Sequence, residues 1–112
     1  MIETDPEFSR IASLLDALSL RQQAIAANLA NASTPGYRRR VVDFEEAMRA
    51  ATEPLELRVR EDSSPPLPHG NNVDAMRELT DLEKTEILYE TLARGLALKA
   101  SWLRTAVSSR SR

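Results

Sequence analysis

Apolar residues recur at a helical spacing through the first third of the chain. Ile11, Leu18 and Ile25 are seven residues apart, as in one apolar stripe of an amphipathic helix. Thr4-Asp5-Pro6-Glu7 precedes them and supplies an N-cap, a proline at the first helical position and an acid near the positive helix end. The pattern predicts a helix that begins there and ends near Asn31 to Ser33. Its apolar seam comprises Ile11, Leu14, Leu18, Ile25 and Leu29.

A second helical pattern runs from Gly70-Asn71-Asn72-Val73-Asp74 to about Val107. Asn71 or Asn72 suits the N-cap, which leaves Asp74 in the first turn. Apolar residues follow alternating steps of three and four, so this helix carries the stripe that the first helix needs as a mate. We therefore predict an antiparallel, coiled-coil-like hairpin of the two long helices. The second seam comprises Leu82, Tyr89, Leu96 and Leu103.

Charged residues interrupt both seams. Arg21 lies in the first and Glu86 in the second, and an antiparallel arrangement that placed them together would help to set the register. Gly95 costs about 1 kcal/mol relative to alanine in a helix interior, so it marks either a close backbone approach or a local weak point. The second stripe also includes flanking or equally spaced apolar residues, namely Leu79, Leu88, Leu92, Trp102 and Val107.

The segment between the helices has mixed patterns. Phe44 to Ala51 fits a short helix that begins with a capping box at Asp43 and ends before Pro54. Leu55 to Arg60 alternates between apolar and polar residues, as a strand with one buried face does, but the sequence shows no obvious partner for it. We predict one all-α structural unit, with residues 1–37 as N-terminal helix and turn, residues 38–70 as a flexible middle that contains the short helix and one extended strand, and residues 71–112 as C-terminal helix and frayed tail from Ser108 onwards.

The junction after the first helix combines a helix stop with a turn. In Thr34-Pro35-Gly36-Tyr37, the residue before proline is disfavoured in the α region, and the Pro-Gly pair suits a tight turn. Asn28 and Asn31 are three residues apart, so their amides lie on one face of the last helical turn. These amides either cap the helix end or take part in recognition of a neighbour.

Composition argues against several classes of partner. The chain has 15 Lys or Arg and 17 Asp or Glu, so a net charge of −2 gives no general attraction to nucleic acid or to an anionic membrane. Arg38-Arg39-Arg40 is the only concentrated positive run. Because acids follow it closely, it is more typical of a solvated face or of pairing with an acidic partner than of phosphate binding. The acidic N-terminus and the lack of an apolar run of roughly 18 residues argue against a cleaved signal peptide and a membrane span.

The sequence offers no candidate catalytic, cofactor-binding or metal-ligating site. Its carboxylates are scattered among arginines, its serines lack a G-x-S-x-G elbow, and its three glycines form no phosphate-binding loop. There is no cysteine, which excludes disulfides and thiol chemistry. His69, the only histidine, lies in a proline-rich run without a second ligand at metal-binding spacing, so we expect it to be exposed.

Two motifs together carry a family resemblance. Ala-Asn-Leu-Ala-Asn at 27–31, followed by Thr-Pro-Gly-Tyr at 34–37, resembles the signature of the bacterial flagellar axial proteins, which build the rod and hook. The openings at 70–74 and the Leu-Arg-Thr-Ala-Val close at 103–107 are similar to the basal-body rod protein of the proximal rod, the FlgB type. The resemblance implies that motif residues pack among subunits, namely Asn28, Asn31, Thr34, Pro35, Gly36, Tyr37, Asn71, Val73 and Asp74.

The resemblance also implies a location and partners. It implies a structural subunit that leaves the cytoplasm through the flagellar export apparatus, a type III system, without a cleaved signal peptide, and that assembles in the periplasm. The implied partners are copies of itself, other rod proteins and the small adaptor at the rod base, with no nucleic acid and no membrane insertion. The alternative is a non-flagellar helical-hairpin adaptor that binds partner helices. The 28–37 junction distinguishes the two, because an adaptor needs only an amphipathic stripe.

Overall fold

The computed structural model describes residues 5–50 and 56–110, which extend over 67 × 24 × 16 Å. Two long helices pack against each other, and a short helix and a small two-stranded sheet lie between them in the sequence. The predicted fold class is therefore confirmed. The elements are α1 (Pro6–Ala30), β1 (Arg40–Val42), α2 (Phe44–Ala50), β2 (Val59–Glu61) and α3 (Ala75–Arg110).

The ends of α1 follow from local sequence. Asp5 is the N-cap, and its carboxylate accepts hydrogen bonds from the backbone N–H of Glu7 at 2.9 Å and of Phe8 at 3.5 Å. Desolvation raises the pKa of Asp5, but these backbone hydrogen bonds outweigh it, and the pKa is lowered. The helix ends at Ala30 with Asn31 as C-cap, one residue before the predicted range. Thr4, the other possible cap, lies outside the described residues.

Two polar contacts define the antiparallel register of α1 and α3. At one end, Lys99 Nζ lies 2.6 Å from the Glu7 carboxylate, and at the other Asn28 donates to Glu78 at 3.2 Å. Twenty-one residues separate Glu7 from Asn28 on α1, and 21 separate Glu78 from Lys99 on α3. The helices therefore keep one register over about 30 Å, at 1.5 Å per residue.

The start and end of α3 differ from the prediction. Asp74 is the cap: its carboxylate accepts from the backbone N–H of Met76 at 3.1 Å and of Arg77 at 3.3 Å, and the helix begins at Ala75. The prediction of Asn71 or Asn72 as N-cap is wrong, since the tertiary contacts described below occupy both side chains. At the other end, residues 108–110 are helical in place of the predicted frayed tail, and residues 111–112 lie outside the described ranges.

The predicted strand without a partner does have one. β1 and β2 pair antiparallel, with Val42 opposite Val59 and Arg40 opposite Glu61. The strand covers Val59–Glu61 and not Leu55 to Arg60, because residues 56–58 are irregular and Leu55 lies outside the described residues. The sequence pattern missed the pairing because three residues of β1, Arg-Val-Val, are too short to show a strand period. The predicted helical residue Ala51 and the stop at Pro54 also lie outside the described residues.

Burial is concentrated on α1. Leu18 is fully buried and Ile25 is 4% exposed, whereas the other seam residues are half-buried, namely Ile11, Leu14, Leu29, Leu82, Tyr89, Leu96 and Leu103. The wider stripe predicted on α3 is wrong in part, because Leu79, Leu88, Trp102 and Val107 are exposed. Helix α3 is apolar on two sides, and α1 covers only one of them.

The predicted pairing of Arg21 with Glu86 is also wrong. Arg21 Nη1 lies 3.8 Å from the carboxylate of Glu45 on α2, and Glu86 is exposed. A β-carbon built at Gly95 meets no atom of the described chain within 4 Å, so Gly95 marks no close backbone approach there.

Candidate functional site

Asn28 joins three elements at the C-terminal end of α1. Its side chain is fully buried, and Nδ2 donates to the Arg40 carbonyl at 2.8 Å and to Glu78 Oε2 at 3.2 Å. Oδ1 accepts from the Arg40 backbone N–H at 2.8 Å and from the Tyr37 hydroxyl at 3.0 Å. The amide thus uses two donors and two acceptor positions. Because it bonds both backbone groups of Arg40, it holds β1 against α1 much as a neighbouring strand would.

Arg39 lies among three carboxylates of the same chain. Its Nε donates to Glu78, whose side chain is fully buried, and Nη1 donates to Asp62 at 3.1 Å. Nη2 lies 3.5 Å from the Asp81 carboxylate. Burial opposes the positive charge, but the hydrogen bond and charge of Glu78 outweigh it, so the pKa of Arg39 is raised. The guanidinium stays charged and satisfies the one carboxylate that α3 buries.

This arrangement changes the interpretation of the arginine run. Arg38 and Arg40 are exposed, as a solvated face predicts, but the Arg39 side chain is only 13% exposed. The acidic partner of Arg39 is internal, so the central arginine is a structural residue.

Asn71 caps the end of α1 from a distant part of the chain. Its Nδ2 lies 3.1 Å from the carbonyl oxygen of Asn31, and 3.0 Å from those of Ala32 and Thr34. Its Oδ1 accepts from the backbone N–H of Val73 at 2.9 Å, and Val73 itself is 1% exposed. The carbonyls that a helix end leaves without partners are therefore satisfied by the loop that precedes α3.

Asn72 binds the opposite side of the same loop. Its Oδ1 accepts from the backbone N–H of Arg39 at 2.6 Å, and its Nδ2 donates to the carbonyls of Asp62 at 2.9 Å and Ser64 at 3.2 Å. Consecutive asparagines thus fasten the loop to α1 on one side and to the segment after β2 on the other. Since both are buried, their hydrogen bonds are shielded from water.

Asn31 acts within its own helix end. Its Nδ2 donates to the Ala27 carbonyl at 2.9 Å, and its Oδ1 accepts from the Thr34 hydroxyl at 3.2 Å. Of the two interpretations left open for the asparagines, Asn31 therefore has the contacts of a cap, whereas Asn28 has those of a tertiary junction.

Thr34-Pro35-Gly36-Tyr37 is a closed turn. The Tyr37 backbone N–H donates to the Thr34 carbonyl at 3.2 Å, and Gly36 has a φ of 75°. Proline fixes a negative φ at the second position, so positive φ at the third position indicates a type II turn. Gly36 N–H also donates to the Gly70 carbonyl at 3.3 Å, which links this turn to the loop before α3, while Pro35 is exposed.

Asp62 anchors the segment that follows β2. Its carboxylate accepts from the Ser64 backbone N–H at 3.0 Å and the Ser64 hydroxyl at 2.7 Å, in addition to Arg39. These hydrogen bonds, with Ser64 first and Arg39 after it, lower the pKa of Asp62 to about 2.

The described residues contain no group of three or more acidic or histidine side chains arranged to hold a metal ion. His69 is exposed and lines an open groove of ≈ 550 Å³ with Leu67, Val73 and Met76. None of the helices in the described ranges is long and apolar enough to cross a membrane.

Residues 12–38 match the family model for a flagella basal body rod protein. The matched segment contains most of α1, its C-cap and the whole turn, and therefore Asn28, Asn31 and Tyr37. The match supports a rod-family protein with a structural role in the rod and a location in the flagellar basal body. The comparison with curated proteins finds no match to the chain.

The structure brings together most of the predicted motif residues and adds three that the sequence analysis passed over. Asn28, Asn31, Thr34, Tyr37 and Asn71 lie in one hydrogen-bonded junction. The additional residues are Arg39, Asp62 and Glu78. Glu78 had a detectable signal, since it lies four residues before Leu82 on the same seam. Arg39 had none, because three consecutive arginines do not reveal which one points inward.

Proposed function

We propose that this chain is a structural subunit of the proximal rod of the bacterial flagellar basal body. It leaves the cytoplasm through the flagellar export apparatus without losing a signal peptide. In the periplasm it assembles through its terminal helices, with copies of itself, other rod proteins and the small adaptor at the rod base, into the hollow drive shaft. The observation that carries this proposal is the rod-family match over residues 12–38.

The geometry of the matched segment supports an assembly role. Asn28, Tyr37 and Gly36 fix the direction in which the chain leaves α1, through bonds to Arg40 and Gly70. A polymer requires every subunit to present the same surfaces, and a fixed exit from α1 provides that uniformity.

The surface of α3 supports the same role. Ile87 is 66% exposed, Leu98 51% and Trp102 65%, although a soluble monomer rarely exposes large apolar side chains along one helix. Such a surface gains free energy when another helix covers it. A subunit that is buried in a tube has this property.

A complementation experiment tests the proposal. The gene is deleted in the source bacterium and replaced with the wild type, Gly36→Val, Asn31→Leu or the exposed-site control His69→Gln. We expect the wild type and the control to appear in purified basal bodies and to restore swimming. The two junction variants should be synthesised and exported but incorporated poorly, because both change the helix exit.

The alternative, a non-flagellar helical-hairpin adaptor, predicts a different distribution. An adaptor would stay out of purified basal bodies, and its deletion would leave rods and swimming intact. That pair of results would overturn the rod proposal.

A further inference from the structure

The side of α3 turned away from α1 carries a repeat of 11 residues. Met76, Ile87 and Leu98 are 11 apart, and Thr80, Thr91 and Trp102 follow each of them by four. Eleven residues are close to three helical turns, so equivalent positions stay on one side of the helix. We call this surface the outer α3 face; it comprises Met76, Thr80, Glu83, Ile87, Thr91, Arg94, Leu98 and Trp102, all of them exposed.

The threonines of the outer α3 face present methyl groups. The Thr80 hydroxyl donates to the Met76 carbonyl at 3.0 Å, and the Thr91 hydroxyl donates to the Ile87 carbonyl at 2.8 Å. Because each hydroxyl is already bonded within the helix, it needs no partner across a contact. The same apolar unit therefore occurs twice, with a third copy in which Trp102 replaces threonine.

Charge is distributed unequally along α3 and the cap before it. Residues 74–90 hold six acids and two bases, whereas residues 91–110 hold four bases and no acid. On the outer face, Glu83 and Arg94 are again 11 residues apart, and within the described ranges neither forms an ion pair. One half of the helix therefore attracts the other half of a second copy.

We propose that the outer α3 face packs against the same face of a second copy of this chain, parallel to it and shifted by 11 residues. The shift, about 16 Å at 1.5 Å per residue, places Ile87 of one copy beside Leu98 of the next, and Glu83 beside Arg94. It also places Thr80 beside Thr91. This inference rests on the proposed function as an assembling subunit and specifies one subunit contact.

Other arrangements of two α3 helices fit less well. A parallel pair without the shift places Glu83 against Glu83 and Arg94 against Arg94, which is repulsive. An antiparallel pair centred to join Glu83 with Arg94 places Ile87 beside Glu90, so apolar area faces a carboxylate. The shifted pair satisfies both the charges and the apolar repeat. Because each copy keeps an uncovered half-face, the contact continues to a third copy and is not closed into a dimer.

Cysteine cross-linking tests the shift, since the natural chain has no cysteine. The purified full-length Thr80→Cys/Thr91→Cys variant is treated with a short bis-maleimide and analysed on denaturing gels. The two single variants are the first controls. Glu86→Cys/Ala97→Cys is the second control, because its exposed sites are also 11 residues apart but lie to one side of the outer face. Circular dichroism verifies that every variant keeps its helix content.

The expected result is a ladder of dimers and higher species from Thr80→Cys/Thr91→Cys, about tenfold stronger than from any control, because the contact raises the effective thiol concentration. Glu83→Arg or Arg94→Glu in this background should weaken the ladder, and the two changes together should restore it. Cross-linking by either single variant would indicate an unshifted parallel pair and overturn the inference. The same follows if no ladder forms either in the purified chain or in isolated basal bodies. If basal bodies contain the chain without the ladder, the shift is wrong while the rod function stands.

Discussion

Arg39 donates from Nε to the fully buried carboxylate of Glu78, which ties the chain just before β1 to the first turns of α3. The two residues are far apart in sequence, yet each depends on the other, because α3 buries the acid and Asp62 and Asp81 hold the arginine in place. Such a pair adds little net stability over an apolar pair of the same shape, but breaking it leaves a buried charge without a partner.

Arg39→Met or Glu78→Leu should each lower the free energy of unfolding by about 3–5 kcal/mol, because each leaves one charge unpaired. The double variant should cost clearly less than the sum of the two. Urea unfolding followed by circular dichroism measures all three, and a double-mutant cycle extracts the coupling. Arg38→Met is the matched control: its side chain is exposed, and its effect should stay within about 0.5 kcal/mol. Additive effects of the two changes would contradict the pairing.

Asn71 offers a test of the α1 cap. Asn71→Asp keeps an oxygen for the Val73 N–H but replaces the donor by a carboxylate that faces the carbonyls of Asn31, Ala32 and Thr34. Asn71→Ala removes the side chain and allows water to reach those carbonyls. We expect a loss of about 1–3 kcal/mol for alanine and a larger loss for aspartate, by urea unfolding. If aspartate were tolerated as well as asparagine, the donor role would be wrong.

The two glycines at positions 36 and 95 should respond to alanine with opposite signs. A β-carbon meets no atom within 4 Å at either site, so packing does not separate them. At Gly36 the φ of 75° disfavours alanine, with a cost of about 1 kcal/mol. At Gly95, inside α3, alanine should raise the free energy of unfolding by a similar amount, because it is the better helix former. Thermal unfolding of both variants measures the pair, and equal signs would refute the argument.

The pKa of Asp62 predicts a loss of stability in acid. The hydrogen bonds from Ser64, and then Arg39, keep the folded-state pKa at about 2, against an ordinary value of 3.8. Between these values the unfolded chain binds more protons, so the free energy of unfolding falls as the pH drops through this window. The contribution is on the order of 1 kcal/mol after screening by solvent. Urea midpoints from pH 5 to pH 2 measure it, and Asp62→Asn should show a shallower decline than the wild type. Parallel declines would contradict the assignment.

The elements and their limits could largely be predicted from sequence, because they depend on residues within a few positions. Asp5 and Pro6 determine where α1 begins, and the Thr34-Pro35-Gly36 turn explains why it ends. The seven-residue spacing of Ile11, Leu18 and Ile25 identified the side of α1 that contacts α3. The 28–37 motif also indicated the family before any fold was known, since the family match covers the same residues.

Only the tertiary structure decided which pairs form between distant segments. Helix α3 is apolar on two sides, and its sequence alone does not distinguish the side that meets α1 from the side that bears Ile87 and Trp102. The partner of β2 depended on a three-residue strand, and Asn71 was free to cap either helix until the loop closed onto α1. Arg39 and Glu78 show the same limit. Local patterns report what one residue favours, whereas burial of a charge is tolerated only where the fold supplies a specific partner.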